Sequence, residues 1–503
     1  MTHSNQPIMK HRTLNIRTVL SSCVIFGAAG TVRGQYTPPP PPAPFQGFIN
    51  EALRAENPTN HWDIGGASRS RVEIKEGYGI AGNAGSVDFR AHGADVNNEY
   101  FLERIRLHAG YTNNFWGAYV EGQSSLAASD ERFAYLNSAG IAHTTTRRGS
   151  GPESDTIDLR QAYAVVGNLN EFPVSLKLGR QVLSYGEERL IGAFDWNNIG
   201  RTFDAAKLRW HNEWFDADFF TSHPVIPEDQ RFDVSNVYDW FSGVYATSAK
   251  IPKHTLEVYF LARNASPQAI NAEPSPQFAQ PTARDIYTAG GRLKSAPREL
   301  GNWDYTVEGA YQFGDFKASA TSKRLTQDAF AVIAQGGYTF SDLWGKPRLG
   351  VEYDFSSGDS NSSDSKHGTF DNLFPTNHKF YGYMDFFSLQ NIHDVRAIFQ
   401  IKPHPRLSLA IEGHGFWLAD TQDAFYNVSG AARTTGGYGI HPGYSNFVGT
   451  ELDVIGGYAL TRFAQLEVGF GHFFTGDYIA QSIAGSGGAT DANYVYTQLS
   501  VNF

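Results

Sequence analysis

The chain has 503 residues, with 36 Phe, 25 Tyr, 9 Trp and 51 Gly, a net charge of -10 at neutral pH and a mean hydropathy of -0.36. No stretch approaches the roughly 18 to 20 consecutive apolar residues of a membrane-crossing helix, which excludes a helical membrane protein. The acidic balance excludes a nucleic-acid binder, whose surface would be basic.

At the N-terminus, Lys10, Arg12 and Arg17 precede an apolar stretch from Val19 to Ala29 and small residues up to Gly34, the pattern of a secretory signal peptide over residues 1–34. Its removal takes the charge to -14 and removes Cys23, the only cysteine. Leu20-Ser21-Ser22-Cys23 loosely resembles a lipoprotein box, but most of the apolar run follows Cys23, which argues against lipidation. Residues 35–64 read as a Pro-rich linker: Thr37 to Pro44 is a polyproline spacer, and Phe45 to Asn60 has the character of a short periplasmic helix.

From residue 65 to 503 the pattern is period-two apolar segments divided by turn-rich stretches. Eighteen candidate strands start near Ser70, Glu99, Phe115, Thr156, Val174, Phe203, Trp214, Phe241, His254, Asp285, Trp303, Gln327, Pro347, His393, Arg406, Thr450, Ala464 and Asn493. Short connectors such as Thr112-Asn113-Asn114 and Pro403-His404-Pro405 alternate with long ones such as Ser124 to Asp155, Ser184 to Thr202 and Ser356 to Ile392. The predicted fold is therefore all-β, a transmembrane up-and-down antiparallel barrel with short periplasmic turns and long external loops. A soluble β-sandwich would explain the alternation but not the loop rhythm. At about 16 to 18 strands a lumen is too wide for wall side chains to fill, so a water-filled channel is expected.

Parity assigns the faces. Within Glu103 to Tyr111, Ile105 and Leu107 fall on one side, Arg104, Arg106 and His108 on the other. An arginine at mid-bilayer costs about 2–4 kcal/mol, so the basic face turns to the lumen. The same test turns Asp158, Arg160, Lys207, Arg209, Glu257, Arg263, Arg292 and Arg396 inward, with Glu308, Glu352, Asp354, Glu412, Glu451, Asp453 and Glu467. Inward cations gather in the first half and carboxylates in the last third, an arrangement that sets a field across a pore.

The densest chemistry lies between Leu178 and Arg209: Gly179-Arg180-Gln181, Glu188-Arg189, Asp195-Trp196, Arg201 and Asp204-Ala205…Leu208-Arg209. A loop this rich in Arg, acid, amide and Trp is unusual between strands and has the composition to fold inward and narrow the pore; arginine offers a planar fork to carboxylates, and tryptophan a flat face to sugar rings. Arg180 shares the parity of Leu176 and Leu178, so it reaches the lumen only if Gly179 bulges the strand or the strand has already ended. These motifs resemble those of alginate-export outer-membrane porins, as do Ser357-Gly358-Asp359, Thr369 to His378 and Gln390-Asn391-Ile392, read as a long external loop, and His472 to Tyr478. The resemblance covers roughly residues 65–503 and implies an eighteen-stranded barrel exporting polyanionic alginate through an arginine-lined constriction. Parity and these motifs together give Arg104, Arg106, Arg160, Arg180, Glu188, Arg189, Asp195, Trp196, Arg201, Asp204 and Arg209 as the expected pore-lining residues.

Tyr494 to Phe503 closes the chain, with Val495, Leu499, Val501 and Phe503 on one face and Gln498, Ser500 and Asn502 on the other. A closing strand ending in Phe resembles the signal that directs barrels to the assembly machinery. The expected partners are outer-membrane lipid and lipopolysaccharide, that machinery, and an anionic polysaccharide or small solute, with no cofactor and no nucleic acid. A porin for small polar solutes or other sugars is the alternative. An outer-membrane hydrolase could draw on Glu412 and His414, but no nucleophile motif accompanies them. The run Asp359 to Asp364 has oxygen ligands without an EF-hand's spacing and reads as a solvated loop. A plug domain has no room before the first strand.

Overall fold

A computed structural model describes residues 47–57, 60–78, 89–92, 96–130, 135–136, 142–143, 153–167, 172–228, 232–266, 283–296, 299–318, 322–434 and 436–503. The expected signal peptide and polyproline spacer lie outside these residues. A helix, α1 (Phe48–Glu56), is followed by the strands β1 (Trp62–Glu76), β2 (Asn98–Thr112), β3 (Trp116–Ala128), β4 (Asp155–Val166), β5 (Val174–Gln181), β6 (Phe203–His211), β7 (Asp216–Ile226), β8 (Asp239–Ser248) and β9 (His254–Ala265). The second half comprises β10 (Ala283–Ser295), β11 (Trp303–Lys317), β12 (Leu325–Thr339), β13 (Arg348–Ser356), β14 (Ile392–His404), β15 (Leu407–Leu418), β16 (Phe447–Ala459), β17 (Ala464–Thr475) and β18 (Ala492–Asn502). Consecutive strands pair antiparallel, and β18 returns to β1 with Val501 opposite Ser68, closing an 18-strand barrel.

The alternation that defines the strands is visible in their exposure. On β2, Phe101, Ile105 and Leu107 face lipid, Leu107 at 57% exposure, while Tyr100, Arg104 and His108 are buried inside. On β18, Val495 and Leu499 point out and Tyr494 and Tyr496 point in. The seam is sealed at its end by reciprocal bonds between Gly66 and Phe503, each amide 2.8 Å from the other's carbonyl. A Cβ at Gly66 would lie 2.4 Å from the Phe503 ring, so glycine is what lets the terminal aromatic lie flat on the wall. β1 begins at Trp62, eight residues before the predicted start and inside the stretch assigned to linker.

Two of the short turns are made by asparagine. Asn113 Oδ1 accepts from the amides of Phe115 and Trp116 at 2.8 and 2.9 Å, and Asn212 Oδ1 does the same for Trp214 and Phe215.

Two long loops fold into the barrel, the first as its composition allows and the second against its reading as external. The β5–β6 loop (182–202) and the β13–β14 loop (357–391) are joined by backbone bonds: Phe374 N to Leu190 O, 3.0 Å; Gly192 N to Phe374 O, 2.8 Å; Thr376 N to Glu188 O, 2.9 Å. Their aromatics meet rings of the inner wall, Phe374 on Phe203 and Phe241 at 5.2 and 4.8 Å, Phe387 on Phe416 at 3.8 Å and Phe386 on Phe473 at 4.9 Å. Burying a phenylalanine stabilises by about 1.5–3 kcal/mol, and this apolar core draws the loops off the surface. The β13–β14 loop read as external is so only around 360–365; residues 369–382 are almost all buried, and much of the lumen is filled from within.

Candidate functional site

The β5–β6 loop crosses from one charged wall to the other. The basic wall is built by β1, β2 and β4. Arg69 stands opposite Arg104 in the β1–β2 register, and Arg160 enters as an extra residue where Glu121 pairs with Gln161 and Gly122 with Leu159. Onto this wall the loop lowers Asp195. Its carboxylate accepts from Arg106 Nη1 at 2.7 Å and Arg104 Nη2 at 3.2 Å, with Arg160 Nη2 at 3.5 Å. Its backbone carbonyl accepts from Arg69 at 2.7 Å and Arg104 at 3.0 Å. Burial pushes this carboxyl up, but Arg106, Arg104, Arg160 and Arg69 outweigh it and hold Asp195 well below the usual carboxylate range.

The residues after Asp195 complete the joint. Arg71 stacks its guanidinium 3.9 Å over Trp196, His378 of the second loop lies on that indole at 3.8 Å and 8°, and Tyr496 meets it edge-on at 5.0 Å. Asn198 donates to the carbonyls of Glu103, Leu126 and Glu153. The Asp-Trp-Asn-Asn run is therefore shaped to this wall.

The opposite wall is acidic. Arg189 of the same loop donates to Glu352 and Asp354, both at 2.7 Å, and its guanidinium stacks on Phe380 at 3.9 Å. Asp354, Asp394, Glu412, Glu451 and Asp453 continue the wall across β13 to β16, and the second loop is pinned to it by Met384 N on Glu451 at 2.9 Å. Glu412 and His414 are held by Arg396 and by Asp394, the latter at 3.0 Å, which accounts for both as members of a lumen network.

Among the other expected residues, Arg201 donates to the carbonyls of Gly192 and Pro375 at 3.2 and 2.8 Å, and burial, with Arg263 nearby, lowers it to about 9. Glu188 accepts from Ser184 at 2.7 Å within the loop. Arg209 pairs with Asp218 at 2.7 Å, away from the Asp195 joint. Arg180 and Asp204 are a correction. The register through Gly179 is unbroken, Arg180 keeps the parity of lipid-facing Leu178, and the two residues pair with each other at 2.9 Å instead of joining the Asp195 group.

Sequence reasoning missed Arg69 and Arg71. Their Arg-x-Arg spacing repeats that of Arg104 and Arg106, which was the available signal. It also missed the buried trio Asp155, Asp158 and Asp233, whose oxygens lie within 4.8 Å of one another; burial, then Asp155 and Asp158, push Asp233 up to about 9. Arg180 stands 3.6 Å from Asp158 as counter-charge. The run from Asp359 to Asp364 instead satisfies itself, Asn361 N bonding Asp359 Oδ1 at 3.1 Å.

A closed barrel of 18 strands, with an apolar exterior and charged walls inside, is an outer-membrane channel of the porin class. The family model for alginate export matches residues 80–489, and the chain belongs to that family. Acinetobacter baumannii OccAB4 is similar in fold, with 11% identity, TM-score 0.54 and coverage of 88% of this chain and 99% of that one. Pseudomonas aeruginosa OccK1 (OpdK) has 12% identity, TM-score 0.52 and coverage of 88% and 98%. OpdK with vanillate gives 11%, 0.52, and the same coverage. No curated protein sequence matches the chain. The protein is a bacterial outer-membrane channel, in contact with outer-membrane lipid and polar solutes.

Proposed function

We propose that the channel passes an anionic, alginate-like polysaccharide or oligosaccharide, selected at the arginine wall of β1, β2 and β4. The observation that carries this reading is the convergence of Arg104, Arg106 and Arg160 on the single carboxylate of Asp195, with Arg69 on its backbone carbonyl. A uronate presents the same carboxylate to the same forked donors. Family membership supports the polysaccharide. Lipopolysaccharide around the barrel and the assembly machinery acting on Phe503 complete the proposed partners.

Charge reversal tests it. Replacing Arg104 and Arg106 by Glu is expected to move the reversal potential in a salt gradient toward cation preference and to abolish block by uronate oligomers. Unchanged reversal potentials would falsify the arginine-wall mechanism. A second reading, a channel for small carboxylates, draws on the solved structure of OpdK with vanillate and on the loops that narrow this lumen. It predicts that vanillate-sized acids compete with conductance where uronate oligomers do not.

A further inference from the structure

A second cationic group lies on the inner wall close to the short turns, separate from the Asp195 joint. Lys177 of β5 stands opposite Lys207 of β6 in the register, and Arg209 follows two residues on. Lys207 Nζ and Arg209 Nε share one carboxylate, Asp218 of β7, at 3.2 and 2.7 Å, and Tyr185 OH also donates to it at 3.0 Å. Lys177 has no ion pair among the described residues; its ammonium sits 3.4 Å over the ring of Tyr163. The adjacent His211 and Asp216 satisfy each other at 2.5 Å. Three cations thus face one carboxylate.

This arrangement works against folding. Like charges directly across a strand pair are destabilising, and a half-buried lysine without a counter-ion loses solvation that its contact with the Tyr163 ring returns only in part. The Arg209 side chain nevertheless remains 44% exposed and Lys207 partly so, which leaves the group open to the lumen. β5 enters from the 167–173 turn and β6 leaves into the 212–215 turn, so the group sits toward the periplasmic mouth.

We infer that Lys177, Lys207 and Arg209 form a periplasmic-side binding station for a carboxylate-bearing solute. The solute's carboxylate supplies the missing negative charge between Lys177 and Arg209. The station raises the local anion concentration at the mouth and passes the solute toward the arginine wall. That the solute is an acidic sugar rests on the reading proposed above; that it is an anion does not.

The test is block of single-channel current in planar bilayers, with channel orientation assigned by maleimide labelling of Ser362→Cys. Citrate and a mannuronate oligosaccharide are added from either side to wild type and Lys177→Gln. Because Lys177 has no ion pair, the substitution breaks none, and Lys177→Arg keeps the charge. The expected result is a roughly tenfold lower on-rate of block from the periplasmic side in Lys177→Gln, less than twofold change from the outer side, and recovery in Lys177→Arg. An unchanged periplasmic on-rate, an equal loss from both sides, or no periplasmic block of wild type by either probe overturns the station. Sided loss with citrate alone, while the oligosaccharide blocks neither protein, keeps the station and removes the acidic-sugar reading. Oligosaccharide block that Lys177→Gln leaves untouched does the opposite.

Discussion

The basic and acidic walls of the lumen are each met by one residue of the same loop, six positions apart, and the two joints are built differently. Arg189 is 2% exposed and sits between two buried carboxylates. Asp195 keeps a side chain half exposed to water while the guanidiniums behind it are covered. The acidic joint is an anchor sealed in protein. The basic joint is a contact whose carboxylate stays open to water. A single loop therefore fixes itself on one wall and presents a water-exposed carboxylate on the other.

The comparison breaks first at the anchor. Arg189→Leu leaves Glu352 and Asp354 without their partner, and removing one member of a buried pair costs about 3–5 kcal/mol. The expected result is a sharp fall in folded, heat-modifiable barrel, with little mature channel to record. Wild-type yield for Arg189→Leu would show that Arg396, which also reaches Glu352, suffices for that wall.

At the basic joint the effect is smaller and different in kind. Asp195→Asn removes the charge that Arg104 and Arg106 bind; charge-assisted hydrogen bonds of this sort are each worth about 1.5–3 kcal/mol when covered, less with water at hand. Asn198 and the Trp196 stack still hold the loop, so the barrel folds. The anion-to-cation permeability ratio should rise severalfold, read from reversal potentials. A fall in yield without a change in selectivity would make Asp195 a structural residue only.

Why the strands were legible and this asymmetry was not follows from what period-two alternation records. Lipid outside and water inside impose a pattern on every strand, so all the candidate starts lie on or beside barrel strands, and parity alone placed Arg104, Arg160 and Glu352 inside. Parity was also right about Arg180, where the resemblance drew it toward the pore. The start of β1 was set late because Gly65, Gly66 and Ala67 give no alternation, and Arg69 was lost with it. The composition of the β5–β6 loop hints at an inward turn, but where the loops dock is a tertiary fact. It depends on Phe374 finding Phe203 and Phe241 across the lumen, and on one loop pairing with another 170 residues away or more in sequence, for which local pattern carries no signal.

The smallest expected effect distinguishes the two joints by pH. In the docked loop Asp195 is held below the usual carboxylate range, whereas in an undocked loop it titrates near 4. A lowered folded value means that the contribution of the pair is fully present above the undocked value and is lost progressively as pH falls from there through the docked value. Between pH 8 and 5 the anion-to-cation ratio of wild type should therefore stay flat with respect to this residue. Through about pH 4, where a free aspartate would titrate, it should stay apart from that of Asp195→Asn, which starts high and has no such titration of its own, and should approach it only at still lower pH. Recording both proteins across the same pH series isolates the aspartate from every other acid in the lumen, because only the difference between the two curves belongs to it. A difference that already closes at about pH 4 would mean that the arginines do not hold Asp195 charged, and the basic joint would then be no tighter than a surface pair.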